Sequence, residues 1–266
     1  MKIYLKDALK EKRELEAINL SLLEIYKLLK AGYGEARTLL FNKKIKINSA
    51  FWYRHGLKEL FVEETYKFNS SNKVPKIIDC GANTGLSVIY FKKLYPQSRI
   101  IAFEPDTEIF DILKENLHTF GYDDVELVNK AVWNENGSIK FLASGGVGGR
   151  ISDDENAQTI EMPTARLSDL LDEKIDFLKI DIEGAEYDVI KDCASKLGNV
   201  ENLFIEYHSL EKNEQKLDEI LKIMKDAGFK YYIKEAWNNQ PMPFVNARTN
   251  LFDLQLNIFG YRLEKM

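Results

Sequence analysis

Apolar residues along the chain follow two spacings, one typical of buried strands and one typical of amphipathic helices. From residue 74 onward, short apolar runs alternate with segments whose apolar residues recur every three to four positions. Such alternation predicts an α/β fold, with an open and mostly parallel sheet covered by helices on both faces. Strands are expected at residues 77–80, 100–104, 125–128, 131–133, 139–142, 159–162, 177–181, 203–207, 229–233 and 254–259.

The first 73 residues have a different pattern. Apolar residues from Leu15 to Leu29 lie along one broad helical face, and an aromatic-rich segment covers 51–68. We therefore expect a helical N-terminal extension over 1–73 and a main domain over 74–266. The extension is expected to pack on the main domain, with the alternative that part of it covers a ligand site as a lid.

Three connecting segments carry their own signals. Asn136-Gly137 is a strong hairpin turn signal and predicts that strands 131–133 and 139–142 pair directly. Residues 144–156 are glycine-rich and are expected to form a flexible or substrate-contacting loop. Residues 235–250 are polar and contain two prolines, and a loop of this length in a compact domain is often functional.

Composition narrows the classes of partner. The chain has 266 residues, 45% of them apolar, and a net charge of −5, so it has no general attraction to nucleic acid or to an anionic membrane. No stretch is long and apolar enough to span a membrane. The two cysteines, Cys80 and Cys193, lie in apolar surroundings, which favours reduced thiols in a cytoplasmic protein. No cluster of cysteine and histidine residues has the spacing of a zinc site. Whether the chain forms a homo-oligomer stays open.

The turn after the first strand of the main domain is the strongest chemical signal. A strand leading through glycines into a helix is the opening unit of a nucleotide-binding domain. Asn83 stands where a dinucleotide fingerprint has glycine, and Asp79 would repel a pyrophosphate but suit a cation. Glu104 follows Gly81 by 23 residues, at a strand end, where a carboxylate can accept ribose hydroxyls. The expected ligand is a nucleoside with a cationic tail, and S-adenosylmethionine fits.

Three motifs occur in order along the chain: residues 79–85, Phe103-Glu104-Pro105, and residues 179–186. Together they resemble the FkbM family of S-adenosylmethionine-dependent methyltransferases, over about residues 74–208. The resemblance implies a Rossmann-like class I methyltransferase fold whose last strand is antiparallel to the rest. It also implies methyl transfer to oxygen, often a hydroxyl of a sugar or polyketide product.

The turn chemistry and the resemblance together give a set of expected cofactor-binding residues near the methionine, ribose and adenine ends. These are Asp79, Gly81, Ala82, Asn83, Thr84, Gly85, Glu104, Pro105, Asn129, Lys130, Ala131 and Asp181.

The carboxylates after the strand at 177–181 are the expected catalytic groups. Asp181 and Glu183 would be costly to bury without a cation, which could be the sulfonium, Lys179 or a divalent metal. We assign no metal, because no third ligand is evident. Glu183 and His208 are the candidate general bases, and a structural role for His208 stays open. Glu186, in a first helical turn, is explained by the helix dipole.

Acceptor contacts are expected, from position and charge alone, at Tyr53, Arg54, His55 and Arg150. The predicted function is an S-adenosylmethionine-dependent O-methyltransferase that acts on a hydroxyl of a small-molecule or sugar-type acceptor and releases S-adenosylhomocysteine. The alternatives are a non-catalytic cofactor-binding subunit and a methyltransferase with a nitrogen acceptor. A nucleic-acid methyltransferase is disfavoured, because the chain is acidic and has neither an Asn/Asp-Pro-Pro-aromatic motif nor a Pro-Cys nucleophile.

Overall fold

The computed structural model describes residues 2–142, 150–151, 159–245 and 251–262. The helices are α1 (Lys2–Glu14), α2 (Leu22–Ala31), α3 (Ala50–Phe61), α4 (Leu86–Leu94), α5 (Thr107–Phe120), α6 (Glu186–Cys193) and α7 (Leu217–Asp226). The strands are β1 (Ala36–Leu40), β2 (Lys43–Ile47), β3 (Lys76–Cys80), β4 (Arg99–Phe103), β5 (Glu126–Val128), β6 (Ala131–Trp133), β7 (Ser138–Leu142), β8 (Arg150–Ile151), β9 (Ile160–Arg166), β10 (Ile175–Ile180), β11 (Val200–Leu210), β12 (Lys230–Trp237) and β13 (Phe252–Tyr261).

A seven-stranded sheet forms the centre of the molecule, in the order β12-β13-β11-β10-β3-β4-β5. The five strands from β11 to β5 are parallel, and β13 is antiparallel to both of its neighbours. This confirms the predicted α/β fold with its antiparallel last strand. In a sheet of this kind the crevice for a ligand lies beyond the carboxyl ends of the parallel strands.

The predicted hairpin between residues 131–133 and 139–142 is wrong. Strand β9 lies between β6 and β7, parallel to β6 and antiparallel to β7. The Asn136 side chain turns towards β9 instead, because its amide accepts a hydrogen bond from the Arg166 N–H and donates one to Asp169. The Asn-Gly signal therefore marks a real turn, but the strands that it joins pair with a third strand.

The N-terminal region is mostly helical, as expected, and it also contains a hairpin that the pattern did not predict. Strands β1 and β2 pair with Ala36 opposite Ile47, and the turn residues Phe41 and Asn42 both have positive φ, at 49° and 64°. Positive φ at both turn positions is the geometry of a tight type I′ hairpin. Phe-Asn is not one of the usual sequence signals for that turn, so the local sequence does not predict this hairpin.

The N-terminal region and one face of the central sheet share a hydrophobic cluster. Aromatic rings connect the two parts, with Tyr66 4.7 Å from Phe204 and Phe68 4.9 Å from Phe177 between ring centroids. Helices α6 and α7 cover the opposite face. The N-terminal region therefore packs on one face of the sheet. The division of the chain into two parts at residue 73 stays a prediction.

The sheet face below α3 changes character along its strands. Alternate residues of a strand share a face, so Phe177 and Lys179 lie on one side of β10, as do Phe204, Glu206 and His208 on β11. Phenylalanine rings occupy the part of this face inside the cluster. Towards the carboxyl ends the face is charged. No described helix is long and apolar enough to cross a membrane.

Candidate active site

Two neighbouring cavities open at the carboxyl edge of the parallel strands. The larger has a volume of about 790 Å³ and the smaller about 90 Å³. Four residues line both cavities: Gly81, Asn83, Asp181 and Glu183. We call them the shared residues. A group bound in one cavity would meet a group bound in the other at these four positions.

The glycine turn brings two strand ends unusually close together. Gly81 has φ +93°, and the N–H groups of Gly81 and Ala82 both donate to the carbonyl of Phe103, at 3.0 and 2.8 Å. A Cβ at position 81 would lie 1.9 Å from the backbone oxygen of Asp181. Only glycine fits this approach, so the turn has a physical requirement for its first glycine.

Asp79 lies beneath the turn and is fully buried. Its carboxylate is 3.2 Å from the Lys179 ammonium and accepts a hydrogen bond from Ser87. Burial alone would lower the pKa of Lys179, but Asp181 and Asp79 outweigh it and raise that pKa. Asp79 borders neither cavity. In this structure the cation beside it is Lys179, whereas the sequence predicted the cation of a ligand at this position.

Glu104 lies beside the smaller cavity, held by two backbone donors. The N–H groups of Asn83 and Asp106 donate to its carboxylate, each at 2.9 Å. Burial raises the pKa of Glu104 to about 8, against the effect of these donors. The Asn129 amide donates to the carbonyls of Glu104 and Pro105 and so fixes the loop after β4.

The other expected cofactor residues divide into three groups. Pro105 and Ala131 line the smaller cavity, together with Phe141, and Ala82 and Thr84 line the larger one. Gly85 caps α4 at φ +93° and borders neither cavity, and Lys130 is exposed. At about 90 Å³ the smaller cavity is below the ~300 Å³ of ordinary ligand pockets. Full entry of a nucleoside therefore requires side chains there to move.

The raised pKa of Glu104 gives a stability prediction for the cofactor-free protein. The native state keeps a proton that the unfolded chain releases between its ordinary pKa near 4.5 and about 8, so stability falls as pH rises through that window. Glu104→Gln removes this titration. Relative to wild type, its free energy of unfolding should rise by about 2–4 kcal/mol between about pH 5 and about pH 8.

Urea unfolding at several pH values measures this difference. Glu108→Gln, an exposed change in the first turn of α5, is the control, and its free energy of unfolding should stay within about 1 kcal/mol of wild type. Parallel pH profiles for wild type and Glu104→Gln would show that Glu104 ionises normally.

His208 is buried against three carboxylates at the floor of the larger cavity. Its Nδ1 is 3.1 Å from Glu186, and its Nε2 is 3.5 Å from Glu206 and 3.7 Å from Glu183. Burial alone would lower the pKa of His208, but Glu186 first and then Glu206 and Glu183 raise it. Burial raises the pKa of Glu183 in turn. Glu183 has φ +56°, a strained backbone that turns the chain at the junction of the two cavities.

The sequence profile described as "Methyltransferase FkbM domain" matches residues 79–231. The chain belongs to the FkbM methyltransferase family. The match starts at Asp79, the first residue of the first motif, and extends beyond the 74–208 span of the predicted resemblance into β12.

Two curated relatives support the same class of enzyme. The chain is 28% identical to Methyltransferase sdnD of Sordaria araneosa in an alignment of 194 residues, with coverage of 59% of this chain and 73% of the relative. It is 30% identical to 2-O-methyltransferase NoeI of Sinorhizobium fredii in an alignment of 165 residues, with coverage of 54% of this chain and 67% of the relative. The prediction of a methyltransferase enzyme is thereby confirmed.

A solved structure shows the same fold. Methyltransferase FkbM from Methylobacillus flagellatus KT superposes with a TM-score of 0.51 at 13% identity, covering 96% of this chain. The chain spans 59% of the length of that protein. At this identity the likeness concerns the fold alone, and it agrees with the Rossmann-like sheet described above.

The four residues proposed to contact the acceptor have different positions in this FkbM-family chain. Tyr53 and His55 line the larger cavity. Arg54 lies outside the cavity lining, because its guanidinium pairs with Glu11 of α1. The side chain of Arg150 lies outside the described residues, as does most of the glycine-rich segment 144–156.

Aromatic rings at the mouth of the larger cavity were missed as a group. Trp237 of β12 lies 5.2 Å from Trp52 and 5.6 Å from His55 between ring centroids. Trp237 belongs to the segment 235–250 that was expected to be functional, of which residues 246–250 lie outside the described part. The rings give this FkbM-family site a flat apolar rim above a charged floor.

Glu186, Glu206 and Glu59 are the site carboxylates that the sequence analysis missed or explained otherwise. Glu186 does begin α6, as the helix-dipole argument expects, but it is 1% exposed and binds His208. Glu206 precedes His208 by two residues in an apolar strand, so the period of two placed both on one face. Glu59 accepts a hydrogen bond from Asn257, and no local sequence signal indicated that contact.

Proposed function

We propose that this chain transfers a methyl group from S-adenosylmethionine to a hydroxyl oxygen of a small-molecule or sugar-type acceptor. The observation that carries the proposal is the meeting of two cavities at the shared residues Gly81, Asn83, Asp181 and Glu183. Methyl transfer needs a donor site and an acceptor site that touch at one point. Membership of the FkbM family supports the reaction class, and the similarity to a relative named a 2-O-methyltransferase supports an oxygen acceptor.

The residues beside the smaller cavity fit the proposed cofactor. The missing Cβ of Gly81 lets the turn lie directly against Asp181 at the junction of the two cavities, and Glu104 offers carboxylate oxygens to ribose hydroxyls. Asn83 and Asp181 would hold the methionine end, and Ala131 would face the adenine. When bound, the cofactor supplies a methyl group on an electron-poor sulfonium, whose positive charge the carboxylates of this site would favour.

The reaction would be a displacement in which the protein aligns the groups and removes a proton. The acceptor oxygen bonds to the methyl carbon, while the carbon–sulfur bond breaks and its electron pair stays on sulfur. The hydroxyl proton goes to the Glu183 carboxylate, which lines both cavities. Asp181 would orient the cofactor from the same junction, and His208 would hold Glu183 in place.

The larger cavity supports an acceptor with a ring and several hydroxyls. Its volume of about 790 Å³ is in the usual range for small-molecule sites. The aromatic rim offers flat surfaces to the C–H face of a sugar, and the charged floor offers acceptors for hydroxyl groups. We place the enzyme in the cytoplasm, because both cysteines are buried free thiols.

Binding of S-adenosylhomocysteine to Glu104→Ala, measured by calorimetry, tests the cofactor assignment. Loss of the hydrogen bonds between Glu104 and the ribose should weaken binding by at least about tenfold. Glu108→Ala, an exposed carboxylate near the same loop, is the control and should bind like wild type. Unchanged affinity in Glu104→Ala would remove Glu104 from the cofactor site. An acceptor screen with labelled S-adenosylmethionine then separates oxygen from nitrogen acceptors.

A further inference from the structure

Three side chains on the floor of the larger cavity converge on one point. Asp181 follows directly after β10, and Glu206 and His208 lie on the same face of the adjacent strand β11. One ligand atom from each lies within 4.8 Å of the other two. Ligands on opposite sides of a metal ion with bonds of about 2.1 Å are about 4 Å apart, so small side-chain rotations bring this set onto one ion.

The hydrogen bonding of His208 prepares it as a metal ligand. Its Nδ1 faces the buried Glu186 carboxylate at 3.1 Å, while Nε2 faces the cavity side, 3.5 Å from Glu206. A histidine that binds a metal usually donates its other ring N–H to a carboxylate, which fixes the tautomer and the ring orientation. Glu186 is itself fixed by the N–H groups of Ile182 and Gly184.

An independent observation on the next strand also indicates a cation. Asn257 of β13 lies directly opposite Glu206 in the register and lines the same cavity. Asn257 is only 7% exposed, and its Oδ1 has no hydrogen-bond partner among the described residues. A buried carbonyl oxygen without a partner is costly, and it is the kind of atom that binds a hard cation or its water.

The charges around the cavity leave room for such an ion. Lys179 contacts Asp79 and Asp181. Within the described part of the chain, no lysine or arginine nitrogen lies within 4.0 Å of the Glu59, Glu183 or Glu206 carboxylates, although all three line the cavity. Glu183 and Glu206 face the His208 imidazole instead, and a metal ion on its Nε2 would replace the imidazole proton as the positive charge beside them.

We propose that Asp181, Glu206 and His208 bind a divalent cation of the Mn²⁺ or Mg²⁺ type, with Asn257 beside it, and that the acceptor hydroxyl coordinates this ion. Two carboxylates favour Mg²⁺ or Mn²⁺, and one imidazole is compatible with Mn²⁺. Coordination would lower the pKa of the hydroxyl and orient it towards the shared residues. The proposal rests on the methyl transfer proposed above and narrows the acceptor to a molecule whose hydroxyl can reach a metal ion.

Titration of the purified full chain with Mn²⁺, followed by the loss of the free-ion electron paramagnetic resonance signal, tests the site without an activity assay. We expect one saturable Mn²⁺ per chain, displaced by Mg²⁺. Glu206→Gln should weaken binding at least tenfold. Glu186→Gln, which does not touch the ion, should weaken it about 10–100-fold through His208. Glu235→Gln, an exposed carboxylate lining the same cavity, should bind like wild type.

Calorimetry with S-adenosylhomocysteine on the same samples separates this proposal from the proposed function. Cofactor binding without saturable Mn²⁺ binding up to about 1 mM, the weak end of functional sites, would overturn the metal site and leave methyl transfer standing. Equal Mn²⁺ affinity in wild type and Glu206→Gln would place the ion elsewhere and also overturn the proposal. If the wild-type chain bound neither Mn²⁺ nor S-adenosylhomocysteine, the result would count against both proposals. Circular dichroism checks that each variant is folded. If Glu206→Gln does not fold, the Mn²⁺ affinity of Glu186→Gln tests the metal site instead.

Discussion

Glu183→Gln should lower turnover by about 10²- to 10⁴-fold while the affinity for S-adenosylhomocysteine stays within about twofold. The amide has the shape of the carboxylate but cannot take up a proton. Glu183 lines both cavities, and His208 Nε2 lies 3.7 Å from its carboxylate, so it is placed at the point where the acceptor must lose its proton. Single-turnover rates with labelled cofactor measure the chemical step directly.

The comparison with two other variants makes this result specific. Glu63→Gln makes the same chemical change at an exposed position of the larger cavity and should turn over like wild type. His208→Ala should also slow turnover, since His208 holds Glu183 and faces the cavity floor. Wild-type rates in both Glu183→Gln and His208→Ala would mean that water or another group takes the proton.

The parts of the fold that were predictable are those set by local pattern. Strands β3, β4 and β10 are short apolar runs that lead into turns and helices, and their parallel arrangement follows from general rules for such units. The same rules brought Gly81, Glu104 and Asp181 to one edge of the sheet. In the structure all three line the cavities at this edge, and their assignment to a methyl-transfer site stays a prediction.

The contacts that were not predicted join segments distant in sequence. Arg54 was expected at the acceptor but pairs with Glu11, and the cation beside Asp79 is Lys179. Neither partner is visible from local pattern, because a charged side chain takes whichever opposite charge tertiary packing brings within reach. The position of β9 between β6 and β7 has the same cause, because tertiary packing also decides which strand pairs with which.

Glu186 illustrates an intermediate case. Its place in the first turn of α6 gave a sufficient explanation from the helix dipole, and that explanation remains valid. The same carboxylate also accepts hydrogen bonds from the N–H groups of Ile182, Gly184 and His208. One residue can satisfy a local preference and a tertiary function together, so a complete local explanation does not exclude a role in the site.

Gly81→Ala should abolish measurable binding of S-adenosylhomocysteine and destabilise the fold by several kcal/mol. The new Cβ would lie 1.9 Å from the Asp181 carbonyl oxygen, and a backbone atom cannot rotate away as a flexible side chain can. Overpacking costs about 1–3 kcal/mol or more. Positive φ adds about 1–2 kcal/mol for a residue with a Cβ. Moving β3 away from β10 to relieve the contact would open the junction where the two cavities meet.

Gly121→Ala separates the two causes. Gly121 ends α5 at φ +74°, but a Cβ there meets nothing within 4 Å. This variant should lose only the stability cost of a positive φ, about 1–2 kcal/mol, and bind cofactor like wild type. Chemical unfolding and calorimetry on both variants give the difference. If Gly81→Ala behaved like Gly121→Ala, the close approach of Gly81 to Asp181 would not be needed for the site. A large gap between the two would show that the first glycine of the turn is required for space as well as for backbone conformation.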